Sequence, residues 1–93
     1  MQASAEQAAT LLKAMSNPRR LLILCTLCGA PGTSAGELAR ATGLSPSATS
    51  QHLARMREEG LIASTREAQR ILYFIKNDAV HQLISTLKTL YCP

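Results

Sequence analysis

Apolar residues recur at helical spacing along most of the chain and give way to short β-rich runs in one place only. Ala5, Ala8, Ala9, Leu12 and Met15 form a single stripe, which predicts a first helix over 5–15. Ser16-Asn17-Pro18 breaks it: Asn17 can cap the orphan amides of a new helix, and Pro18 suits its first position. The second helix runs through Cys28, with Leu21, Leu22, Leu24, Cys25 and Cys28 on a broad face that Ile23 and Leu27 widen. Such a face belongs to a central helix. Gly29-Ala30-Pro31-Gly32 ends it.

Ser34 followed by Glu37 matches a capping box, so a short third helix is expected with Leu38 and Ala41 inward and Gly43 as its stop. Ser45 and Pro46 repeat the start signal for a fourth helix that reaches about Glu59 before Gly60. The few residues around Gly43 give the short turn of a helix-turn-helix. Leu61-Ile62 and Ile71-Leu72-Tyr73-Phe74-Ile75 then read as two strands separated by the polar stretch Ser64 to Arg70. Asn77-Asp78 caps a last helix carrying Val80, Leu83, Ile84, Leu87, Leu90 and Tyr91 on one face. The fold class is mostly α with a small β-hairpin, a winged helix-turn-helix of four helices, a hairpin and a helix.

At 100° per residue, Thr49, Leu53 and Met56 of the fourth helix turn inward, while Ser47, Gln51 and Ala54 turn outward between Ser50 and Arg55. Small hydroxyl residues let a helix approach phosphates, and Gln and Arg can bond base edges in pairs. His52 lies about 140° from Ser47 by the same count, which suits nearby backbone or phosphate better than a base. Arg66, Gln69 and Arg70 sit toward the hairpin tip, where they can meet sugar-phosphate or the minor groove. Any one of these features also describes an ordinary solvated surface. Together they describe a reader of double-stranded operator DNA.

Composition narrows the class. With 93 residues and 46% hydrophobic content, residues 1–93 are expected to make one domain. So short a domain buries only about 60 to 65% of its unfolded surface. The apolar faces of the first and last helices therefore predict a homodimer. A net charge of +4 favours a polyanion but equally suits a ribosomal or membrane-surface protein. No apolar run is long enough to span a membrane and no signal-peptide pattern opens the chain, so a cytoplasmic protein is expected. Paired carboxylates, a nucleophile with its base and a phosphate-cradling loop are all missing, which argues against an enzyme. Three cysteines in a reducing compartment leave core packing, metal binding or redox sensing open. Cys25 and Cys28 have thioredoxin-like spacing, but mid-helix and without a βαβ unit. Zinc needs about four ligands, and the three cysteines and two histidines fall in no recognised spacing.

The segment Ser45-Pro46-Ser47-Ala48-Thr49-Ser50-Gln51-His52-Leu53-Ala54-Arg55-Met56-Arg57-Glu58-Glu59-Gly60-Leu61-Ile62 resembles the recognition segment of the ArsR/SmtB family of bacterial repressors. Asn17-Pro18-Arg19-Arg20-Leu21-Leu22-Ile23-Leu24 and Gly36-Glu37-Leu38-Ala39 resemble its second and third helices. Leu22-Ile23-Leu24-Cys25 with Leu90-Tyr91-Cys92-Pro93 is similar to the persulfide-sensing, BigR/SqrR-like subgroup. That resemblance implies a dithiol sensor whose reactive pair falls on Cys25 and Cys92, with a reactive sulfur species or an oxidant as signal. Cys28 matches no subgroup cysteine. Metal-sensing relatives carry thiols in the third helix or paired Asp/His ligands on the last. Glu37-Leu38-Ala39-Arg40 has no thiol, and Asp78 with His81 lacks a second pair, so the resemblance implies no metal and no cofactor. The readings left beside it are a repressor answering a metal or other ligand, a protein-binding winged-helix module, and a thiol oxidoreductase.

Overall fold

The computed structural model describes residues 2–91. Its elements are α1 (Gln2–Met15), α2 (Pro18–Gly29), β1 (Thr33–Ser34), α3 (Ala35–Thr42), α4 (Pro46–Glu58), β2 (Ile62–Glu67), β3 (Arg70–Ile75) and α5 (Asp78–Tyr91). The order is that of a winged helix-turn-helix, mostly helical with a small antiparallel hairpin.

Local chemistry sets most boundaries. Asn17 Oδ1 accepts from the amides of Arg19 and Arg20 at 2.9 and 3.2 Å and starts α2. Ser34 and Glu37 form the reciprocal capping box on α3, and Asn77 Oδ1 accepts from Ala79 and Val80 to start α5. Gly43 (φ 74°) and Gly60 (φ 78°) take the left-handed conformation that turns the chain out of α3 and α4.

The core gathers Met15, Ile23, Leu24, Leu27, Leu38, Leu53, Met56, Leu61, Ile62, Val80 and Ile84. Central α2 packs against α3, α5 and β3. Its innermost residues are Ile23, Leu24 and Leu27, so the two residues read from sequence as margin are the centre of the buried face, and Leu22 is 49% exposed. On α3 the inward pair is Leu38 and Ala39; Ala41 faces solvent. The helix starts at Ala35 and has only eight residues, so the small residue beside Leu38 shares its face.

The sheet differs from a bare hairpin. β2 and β3 extend into the polar stretch, pairing from Ile62↔Ile75 out to Glu67↔Arg70 and leaving only Ala68 and Gln69 as the loop. β1 adds a third strand on the other side of β3, with Thr33 opposite Tyr73 and Ser34 opposite Leu72. The sheet is therefore anchored to the start of α3. From the α1 stripe only Met15 is buried, and Leu12 stands 53% exposed.

Candidate nucleic-acid interface

The inner side of α4 is sealed by Thr49, Leu53 and Met56, each at most 1% exposed. Thr49 is the one buried polar residue among those described, and its Oγ1 donates to the Ser45 carbonyl at 2.9 Å. Ser45 Oγ accepts from the Ala48 amide at 3.1 Å and fixes the first turn. Rotation of the helix is thereby set, and Ser47, Ser50, Gln51, Ala54 and Arg55 are all exposed on its other side.

His52 is half-buried at the edge of that face, as its angular position predicts. Burial, and then the cations Arg20, Arg19 and Arg55, hold its imidazole below the ordinary value of 6.5. It lines a groove of about 1100 Å³ between α1, the start of α2 and α4, together with Lys13, Arg20, Gln51 and Arg55. Arg20 spans this groove. Its Nη1 donates to the Ala14 carbonyl at 2.8 Å and to Glu59 Oε2 at 3.0 Å, joining the end of α1 to the end of α4. With its side chain only 11% exposed, Arg20 is structural, whereas the neighbouring Arg19 faces solvent.

The hairpin carries Arg66, Gln69 and Arg70, all exposed. Gln69 is in the two-residue loop, while Arg66 and Arg70 flank it on the strands. Arg66 Nε donates to the Ala68 carbonyl at 3.3 Å, which holds its guanidinium near the tip. Arg70 Nη2 pairs with Glu37 Oε1. Glu37 accepts first from the Ser34 backbone and hydroxyl and then feels Arg70 and Arg40, so its carboxyl lies below the ordinary carboxylate value. Arg70 thus ties the wing to α3, a role its sequence position did not suggest. Arg57 makes a parallel tie, donating to Ser64 Oγ at 3.1 Å from the far end of α4. Wing and reading helix are braced as one surface.

Arg19, Arg20 and Arg57 were missed by sequence reasoning. The signal available was Arg19-Arg20 in the first turn after Asn17-Pro18, where a basic pair has no helix-dipole reason to stand. Cys25 and Cys28 are half-buried on α2 and pack against the core. Cys92 lies outside the described residues, so its distance from Cys25 does not enter the geometry. Among the described residues no group of three or more His, Cys, Asp or Glu is arranged to hold a metal ion. No helix among them is long and apolar enough to cross a membrane.

Residues 17–64, from the cap of α2 to the start of the wing, match the family described as bacterial regulatory protein, arsR family. The chain belongs to the ArsR family. It is 76% identical over 93 residues to the HTH-type transcriptional regulator YgaV of Escherichia coli strain K12, covering all of this chain and 94% of that protein. It is 45% identical to the transcriptional activator HlyU of Vibrio cholerae, over 99% of this chain and 84% of HlyU. The crystal structure of the transcriptional repressor BigR from Xylella fastidiosa superposes with a TM-score of 0.88 at 34% identity, covering 100% and 94% of the two chains. ArsR-family proteins are DNA-binding transcriptional regulators and not enzymes, and this chain has their winged helix-turn-helix.

Proposed function

We propose that this ArsR-family chain acts in the cytoplasm as a homodimeric repressor, one domain per subunit. It reads an operator with Ser47, Ser50, Gln51 and Arg55 in the major groove, His52 toward phosphate, and Arg66, Gln69 and Arg70 along the adjacent backbone or minor groove. The observation that carries this reading is the rotation of α4, whose inner side is sealed by Thr49, Leu53 and Met56 while a small, polar and basic face is left outside. A helix so presented fits a major groove about 12 Å wide, and its Gln and Arg offer the donor geometry that base edges need.

The second half of the proposal is the switch. Cys25 and Cys92 are its reactive thiols and a reactive sulfur species or oxidant its signal, the bridge between them tilting one reading helix against the other. Support comes from Cys25, half-buried on α2, and from the likeness to BigR, itself described as a repressor. Because a dimer reads half-sites about 34 Å apart, a small change of angle misplaces one helix and releases the DNA.

One gel-shift series on the upstream region of the protein's own gene tests both halves. Reduced protein is expected to shift the fragment and to lower transcription from it. Persulfide treatment is expected to release it, and Cys25→Ser or Cys92→Ser to abolish that release. Gln51→Ala should cost about 1–3 kcal/mol on the preferred site and little on unrelated DNA. A triple change of Ser50, Gln51 and Arg55 to Ala that leaves selectivity intact refutes the reading of α4, and a release that persists without either thiol refutes the switch.

A further inference from the structure

Cys28 is absorbed by neither the reading face nor the proposed switch, yet an imidazole stands beside its sulfur. It stands in the last turn of α2, half-buried, with Sγ 3.7 Å from Nε2 of His81 in the first turn of α5. His81 itself is exposed, and its amide donates to the Asn77 carbonyl at 3.1 Å, which fixes where α5 begins. Two turns further along α5, Lys88 reaches back over the same end of α2, so that a β-carbon on Gly29 would stand 2.9 Å from Lys88 Nζ. A thiol, an imidazole nitrogen within reach of it and an ammonium beside the next residue therefore meet at one solvent-accessible seam.

We propose that Cys28 and His81 form a second thiol site, which exchanges with small anionic disulfides to leave a mixed disulfide on Cys28. The imidazole Nε2 takes the thiol proton, and the thiolate attacks one sulfur of the incoming disulfide. One S–S bond forms to Cys28 as the S–S bond of the small disulfide breaks. The departing thiolate recovers the proton from the imidazolium, so the exchange balances with the disulfide as its only co-reactant. Lys88 supplies the charge that draws an anionic partner to the seam. The exchange as written needs neither Cys25 nor Cys92, so it can be followed with both removed.

The test uses oxidised glutathione on the Cys25→Ala/Cys92→Ala double variant, with intact-mass spectrometry as readout. The folded variant is expected to gain one glutathionyl group, and faster than the same variant unfolded in urea, where Cys28 and His81 are apart. Adding His81→Asn should slow the folded reaction about tenfold by removing the group placed to take the thiol proton during attack. Circular dichroism confirms that the compared variants are folded. If Cys25→Ala unfolds the protein, Cys92→Ala is treated instead and fragment ions assign the adduct, which must lie on Cys28. A folded rate no greater than the urea rate, an unchanged rate with His81→Asn, or an adduct confined to Cys25 overturns the proposal.

Discussion

Gln51 and His52 are neighbours in the chain but meet different surroundings, because one step along a helix turns a side chain through about 100°. Both line the groove, but Gln51 is exposed on the reading face while His52 is half-buried, with Arg20, Arg19 and Arg55 acting on it. Those cations, acting after burial, make protonation of His52 harder in the folded protein than in the unfolded chain. His52 accordingly contributes to stability above its ordinary value of 6.5 and loses that contribution as pH falls through its lowered folded value. In the proposed complex, phosphates would offset the arginines and raise the imidazole toward protonation. Binding should then take up a proton, and operator affinity should rise as pH falls toward the lowered value of the free protein. Fluorescence anisotropy at fixed salt measures this, and His52→Gln should flatten the slope. The angle of His52 was legible because helical geometry alone supplies it. Arg20 was not, because its partner Glu59 lies 39 residues away and the pair exists only after α1, α2 and α4 have packed.

Elements were legible in proportion to how local their causes are. Asn17, Ser34, Ser45 and Asn77 each satisfy amides two or three residues ahead, so the starts of α2, α3, α4 and α5 could be read from neighbouring residues alone. β1 could not. Thr33 and Ser34 are a strand only because β3, with Leu72 and Tyr73, lies beside them. The hairpin loop was masked in a different way, for Ala68 takes a φ of 57° that sequence rules assign to glycine or asparagine. A β-carbon in that conformation costs about 1–2 kcal/mol, part of which glycine's greater unfolded freedom returns. Ala68→Gly should therefore raise stability by up to about 1 kcal/mol. Ser45→Ala should lower it by about 1 kcal/mol through the lost cap of α4. Urea unfolding checks both, and a stabilised Ser45→Ala protein would mean that the cap does not hold the reading helix.

At the scale of the whole molecule, the residues outside the core say more about assembly than those within it. Leu12 on α1 is 53% exposed, and Leu90 and Tyr91 at the end of α5 are 66% and 78% exposed. Neither Leu12 nor Leu90 belongs to the core cluster, so placing a charge at either leaves the buried contacts intact. The proposed dimer covers them, because large apolar residues left exposed on the two terminal helices are the economical place for a two-fold contact. Leu12→Glu with Leu90→Glu should then halve the mass seen by light scattering while the circular dichroism of the helices persists. Ile71→Glu is the control: Ile71 is 45% exposed, but it stands near the hairpin tip, opposite Arg66 of β2, and its charge should leave the mass unchanged. Operator affinity separates the consequences further. A lone subunit keeps one reading helix and its phosphate contacts but cannot span half-sites about 34 Å apart, so binding should fall by more than about tenfold and lose its dependence on half-site spacing. Should the doubly charged variant keep both its mass and its spacing preference, the contact lies elsewhere, and the exposed leucines of α1 and α5 have no part in holding the two reading helices in register.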